Sequence, residues 1–380
     1  MGAAMSGAVV SSLPVCGSCG AVAAIGARFC EACGTDLPTP AGGQGATPPG
    51  EILAAPVPDP AGPVPVPVPE PVPCRECGGV VDADGYCTSC GAKAPRARDH
   101  VVEQPQAWVG AVSDRGIRHH RNEDALAVAA SEAPGSHAVL VVCDGVSSSE
   151  DSDVASLAAA RAALDTLAGP RAQGLDTSAG LVAVIGARLE AAADAASRAV
   201  AAATSHDHGD SPPSCTFVAT VVERGRIVTG SVGDSRAYWL PDAGQARFLT
   251  TDDSWAAEQI AVGVPRDQAE SGPQAHAITR WLGVDAPDHT PRITTMEVDG
   301  PGWLVVCSDG LWNYCSPADE LGALVRRIAA TVAGEPLATA SALVDWANGQ
   351  GGHDNITVVL ARLGADPDSP LPRDQTGSSR

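Results

Sequence analysis

Positive charge is scarce in this sequence. Across 380 residues, 24 Lys and Arg stand against 45 Asp and Glu, a formal net charge of -21, and Lys93 is the only lysine. A nucleic-acid binder needs a basic face to neutralise phosphates, and docking on an anionic membrane asks for the same, so both partner classes are argued against. No apolar run reaches the roughly 18 residues that a membrane-spanning helix needs. The N-terminus lacks the basic n-region and solid apolar core of a signal peptide. "MGAAMS" fits the M-G-x-x-x-[ST] lipidation pattern, which small-residue N-termini match by chance. The expected compartment is the cytoplasm, where thiols stay reduced.

Composition divides the chain into a Cys- and Gly-rich segment at 15–37, a proline-rich linker at 38–72, a second Cys-rich segment at 73–94, a long periodic region at 108–364 and a polar tail at 365–380. In the linker, proline takes nearly every second position from 56 to 73. Such a stretch builds neither helix nor ladder strand; as polyproline II, at roughly 3.1 Å per residue, it makes a stiff spacer of about 55 Å. The tail "ADPDSPLPRDQTGSSR" reads as disordered.

The periodic region carries short β-branched runs bounded by Gly, Asp and Ser: "AWVGAVSD", "HAVLVVCDG", "CTFVATVVERGRIVTGSVGDSRAYWL", "GWLVVCSDG" and "NITVVLARL". "ERGR", from Glu223 to Arg226, reads as a hairpin turn. Alanine-rich stretches fit amphipathic helices near 152–168, 179–204, 317–332 and 336–348. The order of strands, two helices, strands, two helices and a last strand predicts an α+β fold, with two stacked, mainly antiparallel sheets covered by helix pairs.

The cysteines fall into two groups. Cys16/Cys19, Cys30/Cys33, Cys74/Cys77 and Cys87/Cys90 form C-x-x-C pairs, each followed by glycine. Their spacing predicts hairpins closing two tetrahedral four-cysteine sites, each holding a structural Zn2+. Segments this short cannot bury a core, so the metal supplies their folding energy. They resemble zinc ribbons, a family of interaction modules, which implies a protein partner. Cys143, Cys215, Cys307 and Cys315 are different. A cysteine nucleophile attacking a phosphoryl group needs an arginine six residues on, and Ser149, Val221, Asn313 and Leu321 stand there instead. These thiols read as small core hydrophobes.

Acidic residues recur where apolar runs stop: Asp144 before Gly145, Asp309 before Gly310, Asp234 in "SVGDSR" and Asp354 ahead of the final strand. A carboxylate at a strand end has a rigid base and reaches the sheet edge. Several converging there repel one another unless a cation lies between them, and hard oxygen ligands select Mg2+ or Mn2+. A single D-G pair is usually a simple turn; the joint arrangement is what points to a site.

"SDRGIRHHRNEDA", "VVCDG", "GDSRAYWL", "ITRWLG", "SDGLW" and "DNITVV" occur in the order of the PPM-type family, the metal-dependent protein phosphatases 2C, which residues 108–363 resemble. The resemblance implies an αββα sandwich with a metal cleft at the edge of its sheets, acting on phosphoserine and phosphothreonine of a phosphorylated protein. It places Glu123 and Asp124 as the first acidic pair. Asp144 would bridge two Mn2+ or Mg2+ ions, Gly145 would contribute its carbonyl, and Asp309 and Asp354 would complete one metal site. Asp234 is matched to a weaker third ion. Two metals lower the pKa of a bridging water, and the resulting hydroxide attacks phosphorus in line.

The chain departs from the family where a phosphate-binding arginine is expected, four residues before Glu123. His119 stands there, flanked by Arg118 and Arg121. In an extended segment Arg118 would point away and Arg121 would share the face of His119. Arg121 or protonated His119 is therefore expected to hold the phosphate. "DGVSSSEDSD" replaces a glycine-rich turn, Asn313 replaces an acid, and Asp253 stands where histidine is common. An active serine/threonine phosphatase recruited by its ribbons is the leading reading. A catalytically weak pseudophosphatase acting as a binding module is the alternative, and a zinc-dependent nucleic-acid binder is opposed by the excess of acids over bases in residues 1–100.

Overall fold

Alternation along one strand sets the layering. On β4 (His137–Cys143), Ala138, Leu140 and Val142 join an apolar cluster with Val109, Leu304 and Val359. Val139, Val141 and Cys143, on the other face, pack with α1 (Ser152–Ala168) and α2 (Ser178–Ala203). Successive side chains on a strand point to opposite faces, so both faces of this sheet are covered. A computed structural model describes residues 73–364, apart from 75–76, 83, 95, 170–176, 204–210, 273 and 276. The expected first ribbon with Cys16, Cys19, Cys30 and Cys33, the linker at 38–72 and the tail at 365–380 lie outside the described residues.

One sheet has six strands in the order β1 (His100–Gln106), β2 (Val109–Asp114), β13 (Ile356–Leu363), β12 (Gly302–Cys307), β8 (Arg236–Pro241) and β9 (Arg247–Phe248). The other has five, β11 (Arg292–Glu297), β7 (Arg226–Val232), β6 (Phe217–Glu223), β4 and β3 (Ala125–Ala130). β5 (Ser214–Cys215) pairs with β10 (Leu282–Gly283). Every pairing is antiparallel. The inner faces of the two large sheets share one core. The outer face of the six-stranded sheet packs through Val305, Cys307 and Leu360 on α6 (Ala318–Thr331) and α7 (Pro336–Gln350). The αββα sandwich is therefore present, with an alanine stripe on α1 (Ala155, Ala159, Ala163) that lets this helix sit close to its sheet.

The β6–β7 hairpin turns at Arg224 and Gly225, both with positive φ (50° and 73°), which matches the twist of the flanking strands. Cys143, Cys215 and Cys307 are fully buried, as expected of core thiols, and Cys315 is half-buried. Strand β1 lies ahead of residue 108, where the sequence begins the domain. Its sequence "HVVEQPQ" is an edge pattern with a proline and alternating exposure, so apolar periodicity is weak there. Strand β11 is likewise an edge with little burial, and β3 is mostly alanine. The short helices α3 (Trp255–Ala261), α4 (Arg266–Glu270) and α5 (Asp309–Trp312) have no long periodic run to announce them.

Register brings the polar loops to one edge. Asp114 at the end of β2 pairs with Ile356 at the start of β13, Cys307 at the end of β12 pairs with Val358, and Ala125 pairs with Cys143. The loops after β2, β4 and β12 and before β3 and β13 therefore leave the sandwich together. Because Leu140 is fully buried in the core between the sheets, Leu140→Ala is expected to destabilise the domain by roughly 2–5 kcal/mol, read from the denaturation midpoint in urea.

Candidate active site

Each acid is held by backbone that the sandwich fixes. Asp144 follows β4; its N–H donates to Thr216 Oγ1 (3.0 Å), and its carbonyl accepts from Thr216 N–H (2.8 Å). Gly145 must be glycine, because a Cβ there would lie 2.6 Å from the Glu123 carbonyl oxygen and 2.8 Å from that of Ser152. Asp309 opens α5, and Asn313 Nδ2 donates to its Oδ2 (3.0 Å). Asp354 immediately precedes Asn355, whose N–H donates to Asp354 Oδ1 (2.8 Å). Asp234 is buried between β7 and β8, and its carbonyl accepts from Trp312 Nε1 (3.0 Å). Beside Asp309 and Asp354 opens a cavity of about 480 Å³, also lined by Glu270, Trp312, Tyr314 and His353.

The acids form one electrostatic unit. Burial, then the charges of Asp124, Asp309, Asp354 and Asp234, push the Asp144 carboxyl well above its usual range. Asp309 is pushed up in the same way by burial and by Asp354, Asp234 and Asp124. Burial followed by Asp252 raises Asp234 to about 7, and burial raises Asp124 to about 6 against the hydroxyls of Ser308 and Thr357. Asp124 Oδ1 is buried and receives no hydrogen bond from any N–H or hydroxyl. Hard divalent cations fit this set, since they take carboxylate and carbonyl oxygens and would relieve the repulsion.

Glu123 is the exception. Burial works to raise its carboxyl, but donors from His119, Ser152, Arg121 and Ser147 outweigh it and hold the group down at about 2. Oε1 accepts from Arg121 Nε (3.0 Å) and Nη2 (2.7 Å) and from Ser152 Oγ (2.6 Å); Oε2 accepts from Ser147 Oγ (2.9 Å). The serine-rich loop is thus pinned to the first acid of the pair. His119 reaches the other side, with Nδ1 3.4 Å from Glu123 Oε2 and Nε2 3.2 Å from Asp354 Oδ1. Its hydrogen bond to Glu123, against burial and with help from Asp354, raises its pKa.

The expectation of an extended segment at 118–121 is corrected: residues 116–121 form turns and bends, so strand parity does not apply. Arg118 is exposed. Arg121 and His119 take opposite oxygens of Glu123, and only His119 also reaches Asp354. Asp253 is buried beneath Arg280 (3.2 Å) and Arg292 (2.8 Å), with Gly233 N–H donating to its Oδ2 (3.2 Å).

Sequence reasoning missed the supports. Ser308 Oγ donates to Asp124 Oδ2 (2.7 Å), and Thr357 Oγ1 lies 2.7 Å from both Asp124 Oδ2 and Ser113 Oγ. Asn355 accepts the Glu123 N–H (2.7 Å) and donates to the carbonyls of Arg115 (2.7 Å) and Arg121 (3.0 Å). All four lie within the quoted motifs, but their place there does not say which carboxyl or carbonyl each will support.

Ahead of the domain, the Sγ atoms of Cys74, Cys77, Cys87 and Cys90 all lie within 4.8 Å of one another. Cys74 and Cys90 are 3.7 Å apart and Cys77 and Cys87 3.4 Å, close to the roughly 3.8 Å set by tetrahedral Zn–S bonds of about 2.3 Å. The N–H groups of Cys90 and Ser89 lower the Cys87 thiol to about 6, favouring the ligating thiolate. Gly78 and Gly91 follow Cys77 and Cys90 with φ of 73° and 72°, the left-handed turn expected there.

Residues 116–347 match the family described as Protein phosphatase 2C. The chain belongs to the protein phosphatase 2C family. Residues 16–94 match the double zinc ribbon family. The phosphatase 2C domain is that of a metal-dependent serine/threonine protein phosphatase. It is 28% identical over 250 residues to the serine/threonine phosphatase stp of Listeria monocytogenes serotype 4b, covering 65% of this chain and 92% of that protein. The crystal structure of the Mycobacterium tuberculosis serine/threonine phosphatase PstP/Ppp superposes with a TM-score of 0.53 at 26% identity, covering 70% of this chain and all of that one. A structure of the PstP catalytic domain in complex with 2 manganese ions gives 0.50 at 25%, covering 67% and 97%. Among the described residues of this phosphatase, no helix is long and apolar enough to cross a membrane.

The carboxyl shifts set a pH dependence for the metal-free phosphatase. Asp124 and Asp234 keep protons up to about pH 6 and 7 when folded but release them near 3.9 when unfolded. The native state therefore binds more protons across that window, and stability falls as pH rises through it. Unfolding midpoints of the metal-depleted chain are expected to drop between about pH 4 and 7 and to level off above that. Asp234→Asn should flatten the drop; a slope unchanged by that substitution contradicts the assignment.

Proposed function

We propose that this chain hydrolyses phosphoserine and phosphothreonine in proteins, using Mn2+ or Mg2+ held by Asp144, the Gly145 carbonyl, Asp309 and Asp354, with Asp124 and Glu123 completing the edge of that site. The carrying observation is the convergence of carboxyls around Asp144, where burial and then the neighbouring charges push Asp144 and Asp309 well above their usual range. Asp234 is the candidate for a weak third ion; Asn313, hydrogen-bonded to Asp309, limits what that site can offer. Bound there, the ions supply Lewis-acid activation of water and neutralise phosphoryl oxygens.

The chain's own residues orient the reaction. Asp144, Asp309 and Asp354 keep their geometry through Thr216, Asn313 and Asn355. Glu123, ionised and fully occupied by donors, anchors the rim. His119, placed between Glu123 and Asp354, presents the cation that meets the substrate phosphate, whereas Arg121 is committed to Glu123 and Ser152 (3.2 Å). Arg121 acts by holding Glu123 in place. The cavity beside Asp309 leaves room for residues flanking the phosphorylated one.

The Cys74, Cys77, Cys87 and Cys90 cluster would hold one structural Zn2+, and Cys16, Cys19, Cys30 and Cys33 a second. The ribbons recruit a protein partner and thereby bring the catalytic domain to its substrates. Zinc ligation requires thiolates rather than disulfides, which suits the cytoplasm.

Hydrolysis of p-nitrophenyl phosphate with Mn2+ and its abolition by Asp144→Asn are the expected result; metal binding without turnover on that substrate or a phosphopeptide contradicts it. Loss of a charged hydrogen bond predicts that His119→Ala raises KM for a phosphopeptide roughly 10- to 100-fold. The His119 imidazolium is favoured by its raised pKa, so KM should climb as pH rises above neutrality. His119→Arg should remove that climb. Unchanged KM and kcat in His119→Ala would refute the assignment of phosphate binding to His119.

A further inference from the structure

Arg98 lies in the short 3-10 turn Ala97–Asp99, on the segment that joins the Cys74–Cys90 cluster to β1. Its side chain crosses to the back of the acidic pair. Nε donates to the Asn122 carbonyl (2.9 Å), and Nη2 donates to the Asp124 carbonyl (3.2 Å) and to Ser156 Oγ (3.0 Å). Ser156 Oγ in turn donates to the carbonyl between them, that of Glu123. The consecutive carbonyls of Asn122, Glu123 and Asp124 are thus all taken by this arginine and the serine it contacts. The clamp closes reciprocally, because Asn122 Nδ2 donates to the Arg98 carbonyl (3.1 Å).

The arginine is itself fixed. Asp99 Oδ2 accepts the Arg96 N–H (2.9 Å), Asp99 N–H donates to the Arg96 carbonyl (2.9 Å), and Arg115 N–H donates to the Asp99 carbonyl (2.8 Å). Burial lowers the pKa of Arg98, with Asp153 and Asp124 opposing that fall. A charged fork with partly buried donors, spent on neutral oxygens, is a strong constraint on the backbone it holds. Residues 122–124 lie just ahead of β3, which begins at Ala125. Gly145 N–H (3.2 Å) and Asn355 (2.7 Å) hold the Glu123 backbone, whereas the carbonyls on either side of it depend on Arg98.

We infer that Arg98 is a positioning residue for metal binding: from the ribbon-to-domain connector, it holds the Asn122–Asp124 backbone so that Glu123 and Asp124 meet the ion site in register. The inference rests on the metal site proposed above. It extends the catalytic unit upstream of β1, into a segment that belongs to neither the ribbon cluster nor the sheets.

Calorimetric titration of Mn2+ into the metal-depleted full chain tests it without reference to turnover. Arg98→Ala is expected to bind roughly 10-fold more weakly, the scale for losing a support behind metal-site residues. Arg98→Lys, which keeps one donor of the fork, should fall between Arg98→Ala and wild type, and added guanidinium should restore part of the Arg98→Ala affinity. At saturating Mn2+, p-nitrophenyl phosphate hydrolysis should lose kcat with KM unchanged. Wild-type Mn2+ affinity in a folded Arg98→Ala overturns the inference, as does a weakening that neither Arg98→Lys nor guanidinium relieves. If Arg98→Ala does not fold, the comparison of Arg98→Lys with wild type decides, and equal affinities overturn it. Asp144→Asn separates the two levels. If it abolishes Mn2+ binding while Arg98→Ala matches wild type, only the role of Arg98 fails; if Asp144→Asn binds like wild type, the metal site fails and this inference with it.

Discussion

Mutual repulsion among crowded carboxyls is the constraint on which the rest of this structure depends. Asp124, Asp234 and Asp309 are buried and Asp144 is half-buried, and burial together with their own charges and that of Asp354 raises the proton affinity of Asp144 and Asp309 at a single edge of the sandwich. Left to themselves such groups would separate or stay protonated. Separation is blocked, because each sits beside the end of a strand or the start of a helix whose other residues are locked in a core, so without a cation these groups hold protons instead. The energy that packs two sheets and two helix layers is what holds the acids together, and a divalent cation bound there would make the arrangement favourable.

The same edge contains the opposite solution in Glu123. Its oxygens are filled by an arginine, two serines and a histidine, so it is strongly ionised while its neighbour Asp124 is pushed toward protonation. Adjacent residues of one turn are given contrasting charge states by their partners alone. The chain also offers two donor sets of different chemistry, soft sulfur at Cys74, Cys77, Cys87 and Cys90 and hard oxygens among the carboxyls at the sheet edge.

Much of this was legible in the sequence. Strands covered on both faces, such as "HAVLVVC" and "GWLVVC", read as continuous apolar runs, and an acid directly after such a run has little choice but the sheet edge. Edge strands β1 and β11 were not legible, because half-exposed residues carry little pattern. The segment at 118–121 was misread for a physical reason: strand parity needs a strand, and these residues turn, sending His119 and Arg121 to different oxygens of Glu123. Ser113, Ser308 and Thr357 escaped notice because a hydroxyl under a carboxylate has no sequence signature until the fold brings them together. Arg98 escaped because its partners are backbone carbonyls, which every residue has.

The most direct test of the central claim is anomalous diffraction from crystals of the full chain soaked in Mn2+. The account predicts manganese peaks flanking the Asp144 carboxylate, with one shared by Asp309 and Asp354. Strong manganese density elsewhere, with none at Asp144, would contradict it.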